Sequence, residues 1–230
     1  MELLTDIHSH ILFGVDDGAP DYEESVRMLK EAKKAGFDTI IATPHVRRPN
    51  FDKGPVRESM ATLKPVAESM GIKLVQGYEY NIAALTDDGI EGALRFCTEG
   101  TKTILLEMNG TRVASNWERI VIHFQQEGAD VIIAHPERYA NVHSDRDMVS
   151  RMLEVGCKFQ IDLAVMLERN IFNKEKKCVK QLLERGAVRW CASDAHRAED
   201  YKYFAQAFQK YGDDFFCMPD RGSYPELMSK

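Results

Sequence analysis

One punctuation recurs along this chain and leaves few folds open. An amphipathic stretch ends at a glycine and a short β-branched run follows; Gly71, Gly128, Gly156 and Gly186 each stand at such a junction. The order helix, glycine, strand implies parallel strands joined by right-handed crossovers. The strands are predicted at Thr5–His8, Thr39–Thr43, Lys73–Tyr78, Thr103–Glu107, Val131–Ala134, Lys158–Asp162 and Arg189–Ser193. Helical patterns lie between them, at Tyr22–Ala35, Val56–Met70, Ser115–Glu127, Arg146–Glu154, Lys174–Glu184 and Asp200–Gln209. In the first of these, Val26, Leu29, Ala32 and Ala35 are spaced for one buried face, Asp21 is a candidate N-cap, and Gly36 stands at the stop. Such a count of strands and helices predicts a β/α barrel, with an open doubly wound sheet as the runner-up. No linker, low-complexity tract or internal repeat interrupts it, so residues 1–230 are expected to form a single domain.

Most strand ends carry an unusual residue. The first strand ends in Asp6-Ile7-His8-Ser9-His10, where His8 and His10 point the same way on an extended backbone and can share an ion. Asp16 and Asp17 follow in the loop. Other strands finish at His45, Glu79, Glu107, His135, and Asp194 with His196, so six of the seven predicted strands end in a histidine or carboxylate. In β/α folds the C-terminal strand ends converge on one face, where active sites sit. A lone Glu after a strand is most often a cap or a solvated loop residue, and a lone His-x-His is weak evidence of metal. Convergence of six strand ends is the stronger signal, and such a carboxylate cluster repels itself without cations. Mixed nitrogen and oxygen donors suit manganese, iron or zinc better than magnesium or calcium.

Composition removes several classes. A net charge of −6 gives no basic footprint for nucleic acid. Five scattered cysteines, Cys97, Cys157, Cys178, Cys191 and Cys217, read as reduced thiols of a cytoplasmic protein. The N-terminus has no signal-like segment, and no apolar run is long enough to cross a bilayer.

In order, Asp-x-His-x-His, Thr43-Pro44-His45, Gly77-Tyr78-Glu79, a strand ending in Glu107, His135-Pro136-Glu137-Arg138-Tyr139 and Ser193-Asp194-Ala195-His196 resemble the PHP superfamily. Within it, His8-Ser9-His10 followed by Gly14-Val15-Asp16-Asp17-Gly18-Ala19 resembles the bacterial tyrosine-protein phosphatases of the CpsB/YwqE type, over residues 6 to 196. The resemblance implies a distorted (β/α)7 TIM-like barrel with three divalent metals, commonly manganese. By position, His8, His10, Glu79 and Asp194 would hold the first metal. Glu79 would bridge to a second, held also by Glu107 and His135. Asp17, His45 and His196 would hold the third, with Asp16 as the alternative to Asp17. Three such ions would bring the formal charge of −6 to about zero.

The resemblance also implies a catalytic, phosphate-contacting role for Arg138 and a catalytic one for Asp17. Where many members have a second histidine after Thr-Pro-His, this chain has Val46. Where the family often has a further arginine beyond Asp-Ala-His, Arg197 is the nearby candidate for substrate binding. The implied reaction is hydrolysis of phosphotyrosine by a metal-generated hydroxide attacking in line. The substrate would be the tyrosine-rich tail of a bacterial kinase controlling capsule or exopolysaccharide synthesis, and assembly into oligomers is compatible with this. Competing readings are a small-molecule phosphatase such as one for histidinol phosphate, a nuclease, and a metal-binding regulatory module without turnover.

Cys191-Ala-Ser-Asp-Ala-His-Arg197 matches the Cys-x5-Arg spacing of cysteine-dependent phosphatases. That chemistry needs backbone N–H groups turned onto phosphate and a thiolate. This segment has no glycine and sets Asp194 inside the supposed anion cradle, so Cys191 is expected to be an inert core thiol. His123 and His143 are expected to stand outside the site, while Tyr78, Tyr80, Trp117 and Trp190 are expected to pack in the core.

Overall fold

The structure, a computed structural model, describes residues 4–85 and 89–215. Its strands are β1 (Leu4–Ser9), β2 (Phe37–Ala42), β3 (His45–Val46), β4 (Lys73–Gln76), β5 (Glu79–Asn81), β6 (Thr103–Glu107), β7 (Asp130–Ala134), β8 (Lys158–Asp162) and β9 (Val188–Ala192). Its helices are α1 (Tyr22–Ala35), α2 (Gly54–Ser69), α3 (Gly89–Ala93), α4 (Trp117–Gln126), α5 (Ala140–Ser144), α6 (Arg146–Glu154), α7 (Lys174–Glu184) and α8 (Ala198–Phe215). Cys217 lies outside the described residues.

Two predicted strands are each broken in two. The run Thr39–Thr43 stops at Ala42 and resumes as β3 beyond Pro44, which has no N–H for a ladder. The run Lys73–Tyr78 stops at Gln76 and resumes as β5. The interruption sits at Gly77, where a Cβ would lie 2.6 Å from the Ile41 Cγ2 methyl, so a side chain there would force Ile41 to shift. Pairing continues across both breaks, since Gly77 N donates to Ala42 O (2.8 Å) and Glu79 N to Pro44 O (3.2 Å). With β2/β3 and β4/β5 each counted as one, seven strand positions remain, as the sequence predicts.

All pairings are parallel, in the orders β1-β2-β4 and β3-β5-β6-β7-β8-β9. The ring closes between its first and last strands. Asp194 N donates to His8 O (3.0 Å), His10 N donates to Ala195 O (2.9 Å), and Ser9 and Ala195 form a parallel bridge. Buried Asp6 reinforces the seam by accepting from Ser193 N (3.0 Å) and Ser193 Oγ (2.6 Å). Closure rules out the open sheet.

Ile7, Ile41, Val75, Leu105, Ile132, Ala134, Trp190 and Ala192 form a cluster drawn from six strands, apart from the main core, and fill the ring. The larger core lies between strands and helices. Each fully buried aliphatic side chain there contributes about 1.5–3 kcal/mol. Helix α1 begins and ends as predicted, with Asp21 Oδ1 accepting from Glu24 N and Gly36 at φ 100°. Its buried face is Ser25, Met28, Leu29 and Ala32; Val26 and Ala35 are only partly covered, because the buried stripe is rotated toward Met28. Tyr78, Tyr80, Trp117 and Trp190 are buried, and His123 is exposed, as expected. Among the described residues the cysteines are free thiols, and no helix is long and apolar enough to cross a membrane.

Candidate metal centre

The C-terminal strand ends bring nine predicted side chains to one mouth. Four groups of donor atoms each lie within 4.8 Å of one another: His8, His10 and Asp194; His8, Glu79 and His135; His45, Glu79 and Glu107; and His10, Asp17, His45 and His196. All nine residues expected as ligands fall in these groups. The partition differs from the expected three sites: Glu79 stands apart from the His8, His10 and Asp194 group, and His10 and His45 each enter two groups. Glu107 and His135, expected together, fall in separate groups, and His45 Nδ1 stands 3.9 Å from Glu107 Oε2.

Glu79 is the hub. Its Oε1 meets His135 Nε2 at 2.7 Å, and its Oε2 lies 2.7 Å from His45 Nδ1 and 3.4 Å from both His8 Nε2 and His10 Nε2. Burial works against the Glu79 charge, yet the surrounding histidines, led by His8, hold its carboxyl well below the usual range. Asp194 behaves alike, with His8, His10 and Arg138 outweighing its burial. Burial pulls the His8 imidazolium down, but Asp194 and Glu79 prevail and lift it to about 9.

Two backbone positions at the mouth are strained. His135 (φ 32°) and Asp194 (φ 46°) adopt the left-handed region that non-glycine residues rarely enter. Such strain clusters at functional sites, where surrounding structure holds it in place. Buried Tyr139 supplies part of that hold: its hydroxyl donates to Ala134 O (3.0 Å) and accepts from Met108 N (3.1 Å), tying the ends of β6 and β7. Glu137 ties β7 to β8 by accepting from Asp162 N (2.7 Å), and its burial lifts its carboxyl to about 8.

Three observations test the cluster against a divalent cation, and all fit. First, His8 Nε2, His10 Nε2, Glu79 Oε2 and Asp194 Oδ1 show five separations between 3.2 and 3.4 Å. Within this set, the His8 Nε2, His10 Nε2 and Asp194 Oδ1 triangle, with edges of 3.2 to 3.3 Å, lets each corner stand about 2 Å from one ion, an ordinary metal–ligand bond. Second, three histidines have Nδ1 against an oxygen, which leaves the Nε2 lone pair for the cluster: His8 to Gln160 Oε1 (2.9 Å), His10 to Asp16 Oδ2 (2.7 Å), and His196 to Asp194 O (2.9 Å). Metal-bound histidines are held this way. Third, Glu79 Oε2 and His45 Nδ1 are buried without an aligned hydrogen bond despite their 2.7 Å separation. Unpaired buried polar atoms are costly, so both suit an ion.

The adjacent acids separate. Asp16 takes His10 Nδ1 on Oδ2 and Gly18 N on Oδ1 (2.9 Å), whereas Asp17 turns Oδ1 to His45 Nε2 (3.2 Å) and His196 Nε2 (3.6 Å). Arg138 Nη2 donates to Asp194 Oδ2 (2.5 Å) and Asp162 Oδ2 (3.3 Å), at the rim of the cluster. Arg197 is differently placed. Its Nη1 donates to the carbonyls of Asp17 (3.1 Å), Gly18 and His196 (2.6 Å), pinning the loop. His143, in α5, stands outside the four donor groups, and its Nε2 donates to Glu137 O.

Several residues at the mouth escape a sequence reading. Asp162 makes the remaining strand end carboxylate too, and its position as the last residue of Lys158–Asp162 is the signal that could have found it. Gln160, fully buried beneath His8, carries no such signal. Arg47 stands two residues beyond His45, with Nη1 3.1 Å from Asp17 Oδ2 and Nη2 2.5 Å from His45 Nε2.

A closed parallel β/α barrel with a histidine–carboxylate centre at its C-terminal mouth defines the class. Residues 4–208 match the family described as capsular polysaccharide synthesis, CpsB/CapC, and the chain belongs to that family. It is 30% identical to the tyrosine-protein phosphatase YwqE of Bacillus subtilis (strain 168), over 88% of this chain and 81% of that protein. It is 27% identical to the tyrosine-protein phosphatase CpsB of Streptococcus agalactiae serotype III (strain NEM316), over 90% of this chain and 92% of that protein. A crystal structure from a study of YwqE of B. subtilis and CpsB of Streptococcus pneumoniae, described as metal-dependent tyrosine phosphatases, superposes with a TM-score of 0.80 at 28% identity, over 98% of this chain and 90% of that one. A histidinol phosphatase homologue from Listeria monocytogenes (TM-score 0.53, 13% identity, 90% of this chain and 99% of that one) shares the fold alone.

Proposed function

We propose that this chain is a metal-dependent protein-tyrosine phosphatase acting in the cytoplasm on a phosphotyrosine-bearing tail of a bacterial kinase in capsule or exopolysaccharide synthesis. The reading treats residues 1–230 as one catalytic domain. Three divalent ions, manganese foremost with iron or zinc as alternatives, are assigned to His8, His10, Asp17, His45, Glu79, Glu107, His135, Asp194 and His196. The observation that carries it is the convergence of Glu79 and Asp194 on the paired Nε2 atoms of His8 and His10, with Arg138 bound to Asp194 at the rim. Family membership and the names of the relatives support the substrate class.

Divalent ions held by these residues would supply Lewis-acid charge and would lower the pKa of a bound water toward neutrality. Arg138 is assigned the phosphoryl oxygens, because a planar guanidinium binds phosphate through two parallel bonds and neutralises charge as it redistributes. Asp194 and Asp162 orient that fork. Asp16 and Gln160 fix the tautomers of His10 and His8. The phenoxide of phosphotyrosine is a good leaving group, so no strong general acid is required.

The test is turnover of a phosphotyrosyl peptide by manganese-loaded protein, beside histidinol phosphate, with and without chelator. The reading expects peptide hydrolysis that chelator abolishes and manganese restores, and loss of turnover in His135→Ala and Asp194→Ala. Absence of peptide turnover in folded, fully loaded protein contradicts it.

A further inference from the structure

Building on the phosphatase reading above, we propose that Arg47 is a second phosphate-binding residue of this site, flanking the cluster beside His45 and Asp17. The contacts run from Arg138 to Asp194, from Asp194 to His10, from the His10 ring to the His45 ring, and from His45 to Arg47. The two guanidiniums therefore touch different members of one connected set of donor groups.

Position favours this role over an ordinary surface arginine. Arg47 directly follows β3, whose pairing with β5 sets His45 opposite Glu79, so its backbone is fixed at the mouth. The side chain is half exposed, which gives the guanidinium room to meet a ligand from solvent. Its present contacts are Asp17 Oδ2 and the His45 Nε2 lone pair, both on groups assigned to an ion. A guanidinium has no acceptor and keeps its charge at any working pH. When a cation occupies Asp17 and His45, those lone pairs are engaged and the guanidinium faces a like charge. An anion that bridges the two relieves the repulsion, and a phosphate dianion offers oxygens to both. Arg197 is engaged differently, with its Nη1 donating to the carbonyls of Asp17, Gly18 and His196.

The experiment uses the full manganese-loaded chain as parent, Arg47→Ala and Arg47→Lys. Orthophosphate affinity is read by titration calorimetry, metal content by mass spectrometry, and kcat and KM with a phosphotyrosyl peptide. Arg47→Ala is expected to weaken orthophosphate about ten- to hundredfold, the usual loss of charge-assisted hydrogen bonds, with metal content unchanged. Arg47→Lys should restore only part, since a point charge replaces a fork. Unchanged orthophosphate affinity in Arg47→Ala overturns the proposal, as does a loss that tracks loss of metal, which would make Arg47 a support for Asp17. A parent that binds no orthophosphate overturns it as well. If orthophosphate binding depends on Arg47 but the parent leaves the peptide intact, Arg47 keeps its role and the phosphotyrosine reading fails.

Discussion

Asp16 Oδ2 lies 2.7 Å from His10 Nδ1 and turns the ring so that its Nε2 faces Glu79 and Asp194. Asp16 thus acts on the cluster through His10, while Asp17 reaches the His45 and His196 side directly. Gly18 makes the tight wrap feasible, because a Cβ there would lie 2.1 Å from His10 O. The two acids should separate by experiment. Asp16→Asn is expected to keep the full complement of metal at saturation but to bind it about 10–100-fold more weakly, as for other groups that orient a ligand. Asp17→Ala is expected to lose an ion even at saturation. Metal titration of both variants checks this, and identical behaviour of the two refutes the division.

The thiols should prove irrelevant to chemistry. Burial, aided by Glu137 and Asp162, pushes the Cys191 thiol far above its ordinary range, and burial lifts Cys157 and Cys178 to about 12. A protonated, covered thiol is a poor nucleophile. Cys191→Ala is expected to retain phosphotyrosyl turnover within about twofold, and alkylation of the native protein to leave it intact. Loss of turnover in Cys191→Ala with metal content preserved would revive the cysteine mechanism.

Tyr139 links two strand ends through one hydroxyl, and removing it leaves Met108 N buried without that partner. Tyr139→Phe is expected to lose about 1–3 kcal/mol in denaturant unfolding. A change indistinguishable from zero shows that the bridge does not hold the mouth.

Asp162 gives the stability a pH signature. Burial first, then the facing Asp194 carboxylate, lift its carboxyl from 3.8 to about 7 against the pull of Arg138. A folded-state pKa above the unfolded one means that the folded chain keeps a proton the unfolded chain has released. The contribution is fully present below the unfolded value of 3.8 and is lost as pH rises through about 7. Asp162→Asn cannot ionise, so in chelator its unfolding temperature relative to the parent should rise between about pH 5 and about pH 8. A difference that is flat over that range contradicts the assignment.

Much of this architecture is legible in the residues themselves. Strand ends such as Glu107 and helix limits such as Asp21 and Gly36 follow from local preference, and the structure keeps them. The break at Gly77 is less legible, because it depends on the Ile41 methyl that a neighbouring strand sets against it. At the mouth, spacing reveals which residue types converge but not which atom faces which. Whether Asp16 or Asp17 points inward is set by the contact of Gly18 with His10, and the position of Arg197 is set by loop carbonyls far away in the chain. The left-handed turns at His135 and Asp194 leave no trace in composition, since neither is glycine.

Anomalous diffraction from manganese-loaded crystals shows whether distant strand ends share cations at one barrel mouth. Manganese peaks are expected within bonding distance of His8 Nε2, His10 Nε2, Glu79 and Asp194, with further peaks beside Glu107 and His135 and beside Asp17, His45 and His196. Loaded crystals without a peak among these side chains, or with manganese bound only elsewhere, would contradict it.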